Sequence, residues 1–173
     1  MDCFLNYLKE NIMSDVLIEF ATDRSRCIGV QPDAGQSGFV GPNSPLVLRY
    51  LTEQEVLNAW YFRPSPGFFI LDFTSPDSTG EQLAIDFKDG KVAAETPLVV
   101  RKFTGALSQR WSLTMRPGCI TSVANPNLVI DDHFDSLQGN NVIWAFPYNG
   151  TPAQQWRVTK LLDAVAAKAP QYA

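Results

Sequence analysis

The sequence predicts an all-β domain built from three copies of one four-stranded unit, and three observations predict it. Proline and glycine are frequent and dispersed, 12 and 11 residues in a chain of 173, which favours many turns over long helices. Short β-rich runs alternate with turn residues along most of the chain. Ordered blocks of residues also return three times, and a repeat of this kind outweighs local propensity as a guide to architecture.

The second half of each copy shows the return best. Ser44-Pro45-Leu46-Val47-Leu48-Arg49-Tyr50-Leu51-Thr52 reappears as Thr96-Pro97-Leu98-Val99-Val100-Arg101-Lys102-Phe103-Thr104. A polar stretch and a tryptophan follow each time, as Leu57-Asn58-Ala59-Trp60 and Ser108-Gln109-Arg110-Trp111. The third copy is more diverged, with Asn141-Val142-Ile143-Trp144-Ala145-Phe146 leading to Ala153-Gln154-Gln155-Trp156. The first halves agree as well. Val16 to Phe20 precedes Cys27 to Val30, Phe68 to Phe73 precedes Leu83 to Phe87, and Cys119 to Val123 precedes Leu128 to Asp131. Turn pairs such as Asp89-Gly90 and Asn149-Gly150 separate the runs. Three copies of about four strands suit a closed barrel with hairpins over one end, an arrangement that leaves few free edges.

These blocks place one domain over residues 15–160, with copies at about 15–64, 65–115 and 116–160. Residues 1–14 form an N-terminal extension in which Phe4, Leu5, Leu8 and Ile12 fall at helical spacing. The tail 161–173 continues an Ala- and Leu-rich stretch that Pro170 would end. Both ends are expected to be short helical packing elements rather than sites.

Charge and cysteine content narrow the function classes. With 14 basic against 18 acidic residues and a net charge of −4, there is no basic patch to offset a phosphate backbone, so nucleic acid is not an expected partner. No stretch of about twenty apolar residues could span a bilayer, and Lys and Arg gather on no amphipathic segment. Cys3, Cys27 and Cys119 cannot all pair with one another and lack metal-site spacing. With no basic region followed by an apolar run at the start, the expectation is a cytoplasmic chain from a reducing compartment. Any release would then take a non-classical route. No cofactor and no metal are expected.

At this point the residues resemble a known family. Gln-x-Trp near the end of each of three repeats marks the ricin-B-like β-trefoil lectins, and here it reads Gln109-Arg110-Trp111 and Gln154-Gln155-Trp156, with a weakened Asn58-Ala59-Trp60. The resemblance covers roughly residues 15 to 160 and implies a β-trefoil of three four-stranded repeats. The motif itself reads as structural, because each Trp offers a large surface for burial and each Gln a means of satisfying buried backbone groups.

A sugar pocket needs an aromatic platform for the apolar face of the ring and fixed polar groups for its hydroxyls. A carboxylate that accepts from adjacent hydroxyls forms the stronger, charge-assisted bonds. The resemblance places that carboxylate at the end of the second strand and the aromatic four residues before the Gly ahead of Gln-x-Trp. The third repeat is similar to this pattern at Asp131, Phe146 and Gln154, with Gly150 as the glycine. Trp144 lies two residues before Phe146, on the same strand face, and extends the platform. The family's Asn before the motif Gln is Ala153 here, and Asn149 and Asn141 are the nearby amides available to stand in. The second repeat keeps Asp86 and Gln109 but has Arg101 in place of the aromatic, which reads as a degenerate site. The first repeat has Gly29 for the carboxylate and Arg49 for the aromatic. One working site is therefore expected, and the resemblance implies galactose or N-acetylgalactosamine as the sugar.

Other readings of the same residues stay open at this stage. Asp131, Asp132, His133 and Asp135 would also suit a solvated loop, and Trp144 and Phe146 would suit a core. An enzyme is not expected: there is one histidine, and no nucleophile motif or phosphate-binding glycine loop. Asp131 and Asp132 are neighbours in a strand and face opposite ways, unlike a glycosidase pair. The alternative function is a trefoil that binds protein through its loops, such as a protease inhibitor, since one fold hosts both roles. Avidity through a homo-oligomer would help a single shallow site.

Overall fold

The computed structural model describes residues 14–32, 39–51, 58–71, 81–161 and 163. Twelve strands follow one another: β1 (Ser14–Phe20), β2 (Arg26–Val30), β3 (Leu46–Tyr50), β4 (Trp60–Arg63), β5 (Phe68–Leu71), β6 (Leu83–Phe87), β7 (Thr96–Lys102), β8 (Trp111–Ser112), β9 (Thr121–Ser122), β10 (Leu128–Asp132), β11 (Asn141–Pro147) and β12 (Trp156–Lys160). Four strands fall in each repeat, as the sequence blocks predict. The expected N-terminal helix lies outside the described residues. At the other end Leu161 and Asp163 have helical backbone, and the rest of the tail is also outside them.

Two layers form by a threefold rule. Around the barrel, β12 pairs with β1, β1 with β4, β4 with β5, and β8 with β9, all antiparallel. Single backbone bonds tie the remaining seams, from Trp111 N–H to the Gly67 carbonyl (2.7 Å) and from Trp156 N–H to the Gly118 carbonyl (2.8 Å). Gly67 sits at φ +98°, where a Cβ would come within 2.2 Å of the Trp111 carbonyl oxygen, so only glycine allows this seam to close. The cap consists of the hairpins β2–β3, β6–β7 and β10–β11. Their second strands meet in a triangle through Pro45 with Val99, Pro97 with Trp144, and Val47 with Val142.

The core lies inside the barrel and beneath the cap. Trp60, Trp111 and Trp156 are all buried there. Each indole N–H donates to one carbonyl of its own repeat: Ile28 at 3.1 Å, Ile85 at 3.2 Å and Ile130 at 3.0 Å. The tryptophans thus bury the largest surface available to a side chain while leaving no polar atom unsatisfied. Phe87 stacks on Trp111, and Phe20 meets Trp156 edge-on. Cys27 and Cys119 are both buried.

Candidate functional site

The polar half of each Gln-x-Trp motif holds up the floor of a potential pocket. Gln154 is completely buried. Its Oε1 accepts from the backbone N–H groups of Asn149 (2.8 Å) and Gly150 (3.2 Å). Its Nε2 donates to the Pro147 carbonyl (3.0 Å) and to Oδ2 of Asp131 (2.9 Å). Gln109 repeats the pattern: Oε1 accepts from the N–H groups of Thr104 and Gly105, and Nε2 donates to the Lys102 carbonyl and to Asp86 Oδ2 (3.2 Å). One side chain therefore closes the turn before its strand and positions a carboxylate.

In the third repeat that carboxylate opens onto a cavity of about 650 Å³. Asp131 pairs across the hairpin with Trp144, and Val129 with Phe146. The two aromatics thus stand on the same face of β11 and stack, with ring centroids 4.9 Å apart and planes 22° from parallel. Both are half-buried and both line the cavity. The Trp144 indole N–H donates to Asp131 Oδ1 at 2.6 Å. Asp131 therefore holds one protein donor on each oxygen, and a carboxylate offers about four acceptor positions. Burial pushes its carboxyl upward, while the bonds from Trp144 and Gln154 pull the other way. Among the described residues no group of three or more His, Cys, Asp or Glu is placed to hold a metal ion.

The predicted third-repeat residues Asp131, Trp144, Phe146, Asn149 and Gln154 come together here, with a division of roles. Asp131, Trp144, Phe146 and Asn149 line the cavity, whereas Gln154 lies behind Asp131 and orients it. Asn149 uses its Oδ1 to accept from Thr151 N–H and Oγ1–H. Asn141 does not stand in for the missing amide. Its Nδ2 donates to Asp132 Oδ1 (2.8 Å) and to the His133 carbonyl (2.7 Å), on the opposite side of the hairpin. Ala153 lines the cavity as a methyl group.

Several wall residues were not singled out as site residues in the sequence. The run His133–Asp135 forms one 3-10 turn after β10, and Phe134 within it has φ 60°. This turn brings His133 edge-on to Trp144 (4.3 Å) and leaves Phe134 81% exposed at the rim, 6.1 Å from the same indole. Glu95 comes from the second repeat, carried to the cavity by the bond from its N–H to the Ala145 carbonyl (2.8 Å). Phe134 was the accessible signal, as an aromatic inside an otherwise charged run. Nothing in the linear pattern marks Glu95.

In the second repeat the corresponding carboxylate is engaged by a cation. Asp86 accepts from Phe87 N–H (2.7 Å), Gln109 and the Arg101 guanidinium (3.4 Å). Arg101 occupies the register position of Phe146 and turns the carboxylate into half of an ion pair. In the first repeat a Cβ on Gly29 would come within 2.1 Å of Asn58 Oδ1 and 2.5 Å of Arg49 Cδ, so those two side chains fill the place of the carboxylate.

No protein-family model matches the chain, and no curated protein matches it. Solved structures do. A designed threefold-symmetric protein, ThreeFoil, superposes with a TM-score of 0.66 at 13% identity, over 85% of this chain and 99% of its own. The chain is a β-trefoil. The trefoil is also similar to part of a mosquitocidal holotoxin (TM-score 0.66, 12% identity, 86% of this chain), of which it spans only 17%. A third likeness is to the C-half of an earthworm R-type lectin solved in complex with GalNAc (TM-score 0.58, 14% identity, 85% of this chain and 98% of that one).

Proposed function

We propose that this trefoil is a lectin of the ricin-B-like kind that binds galactose-type glycans, unaltered, through one site in its third repeat. The observation that carries the reading is the stacked Trp144–Phe146 pair beside an anchored Asp131. A pyranose laid on the rings would direct its polar rim toward the carboxylate, which Gln154 and Trp144 hold in place before the sugar arrives. Asn149 adds a side-chain amide at the edge, and Gln154 serves as a positioning residue. A trefoil neighbour crystallised with GalNAc supports the same ligand class. The second repeat contributes no site, because Arg101 neutralises Asp86. The protein-binding alternative has no use for a carboxylate held in this way beneath an aromatic platform.

A single shallow pocket is expected to bind a monosaccharide with Kd of roughly millimolar to high micromolar, so glycan display would raise the apparent affinity. The test is binding to a glycan array and to soluble methyl galactoside, with Phe146→Ala and Asp131→Asn beside the wild type. Phe146→Ala is expected to lower affinity about tenfold or more while the thermal midpoint moves little, since the ring is half exposed. Retention of full affinity by both variants would move the site elsewhere. Silence on every glycan from folded protein would favour the protein-binding trefoil.

A further inference from the structure

The walls of the third-repeat cavity carry a charge that a neutral sugar does not require. Three carboxylates line it: Asp131 at the floor, Asp135 from the turn after β10, and Glu95 from the neighbouring repeat. Among the described residues no Lys or Arg lines it. Asp135 lies near enough to Asp131 and Asp132 to disfavour their ionisation. Aromatic rings make up much of the remaining wall, with Phe134 and His133 edge-on to Trp144, and Phe146 stacked on it. Ring faces gathered beside carboxylates, in a concave space of this size, are the surroundings that stabilise an organic cation. A metal ion is not the cation that fits, because no three of these oxygen or nitrogen donors converge.

Resting on the lectin reading above, we propose that the site selects a hexose bearing a free protonated amine, a 2-amino-2-deoxy sugar, over its neutral and N-acetylated counterparts, and disfavours glycans ending in a carboxylate. The sugar ring stacks on the Phe146–Trp144 platform, and its ammonium group faces the wall formed by Glu95 and Asp135. N-acetylation removes the charge, so the acetylated sugar keeps the stacking and loses the electrostatic attraction. A glycan carboxylate meets three like charges.

The experiment is calorimetric or NMR titration at pH 7 and low ionic strength with galactose, galactosamine and N-acetylgalactosamine, repeated in about 0.5 M salt. Galactosamine is expected to bind roughly fivefold more tightly than galactose, an advantage that salt shrinks because rim charges are screened. Glu95→Gln and Asp135→Asn are each expected to lower the ratio of galactosamine to galactose affinity; both replacements are isosteric at exposed positions and are read by that ratio. Equal or weaker binding of galactosamine, with galactose still bound, would overturn the amine preference and leave the lectin reading standing. An advantage that both variants retain would overturn the assignment to this wall. If none of the three sugars binds folded protein at high concentration, both readings fall together.

Discussion

The hairpins β6–β7 and β10–β11 share one backbone and one hydrogen-bond scheme, yet one presents a closed ion pair and the other an open cavity. Gln109 and Gln154 make the same four kinds of bond, and Trp111 and Trp156 donate to equivalent carbonyls. Even the turns agree: Lys88–Gly90 and His133–Asp135 are both 3-10, with Asp89 at φ 57° and Phe134 at φ 60°. What differs around the carboxylate is the side chains that share its face. Val99 and Arg101 stand where Trp144 and Phe146 stand, and Lys-Asp-Gly replaces His-Phe-Asp in the turn. The scaffold is what folding requires, so every repeat keeps it. The pocket is an addition that a few outward positions grant or withhold.

If the scaffold is equivalent in the two repeats, its removal should cost the same in each. Trp111→Ala and Trp156→Ala each delete a buried indole and strand a backbone carbonyl, and each is expected to destabilise the trefoil by about 3–5 kcal/mol. Urea unfolding followed by circular dichroism measures both. Should either variant fail to fold, Trp→Phe at the same positions gives a smaller loss for the same comparison. A large inequality between the repeats would break the symmetry argument.

A sharper difference lies just behind the site. Phe87 fills the core in the second repeat, and its counterpart in the third is Asp132, also fully buried. Burial pushes the Asp132 carboxyl from the ordinary 3.8 up to about 6, against the opposing bond from Asn141. A folded value above the unfolded one means that the folded state holds the proton more tightly. The stability from this group is therefore complete below about pH 3.8 and lost as pH rises through about 6, a difference on the order of 3 kcal/mol. Asp132→Asn keeps the oxygen that accepts from Asn141 and removes the ionisation. The variant should gain about 2 kcal/mol on the wild type at pH 8 and lose that advantage by pH 4. Urea midpoints across that range test it, and a difference that stays constant with pH would show that Asp132 does not titrate there.

How much of this was legible in the sequence follows from what each feature depends on. The scaffold recurs three times, so Trp60, Trp111 and Trp156 with their Gln or Asn partners could be read directly. Asp131 and Phe146 were placed by the resemblance to the family's pattern, and Trp144 followed from strand parity, since alternate residues share a face. Parity also carried the answer for Asn141: it is five residues from Phe146, an odd separation, and so faces the other way, toward Asp132. Phe134 is an aromatic inside an otherwise charged run, but its place at the rim depends on a left-handed backbone that a non-glycine residue seldom adopts, and no local signal announces that backbone. Glu95 arrives from another repeat through the triangular contact of the cap, which only the three-dimensional arrangement supplies. Gly29 was legible as a missing carboxylate, though not the reason for it, which is that Asn58 and Arg49 take up the space.

The smallest expected effect on stability is also the most direct challenge to the comparison. Arg101 is more than a third exposed, and its ion pair with Asp86 spans 3.4 Å, so breaking it should cost about 1 kcal/mol or less. Asp86 keeps its bonds from Phe87 N–H and Gln109 in any case. Arg101→Phe therefore frees the second-repeat carboxylate and places a ring at the register position of Phe146 without disturbing the scaffold. If one aromatic and one anchored carboxylate suffice for a pocket, the variant should bind two galactosides per chain, the second more weakly than the first. NMR titration would register this as new shifts around Asp86 and Gln109. If shifts stay confined to the third repeat, the platform alone is not enough, and the turn that supplies His133 and Phe134 becomes the feature that separates the two hairpins. Grafting His-Phe-Asp onto Lys88–Gly90, where the backbone already turns the same way at Asp89, would then be the change that decides between them.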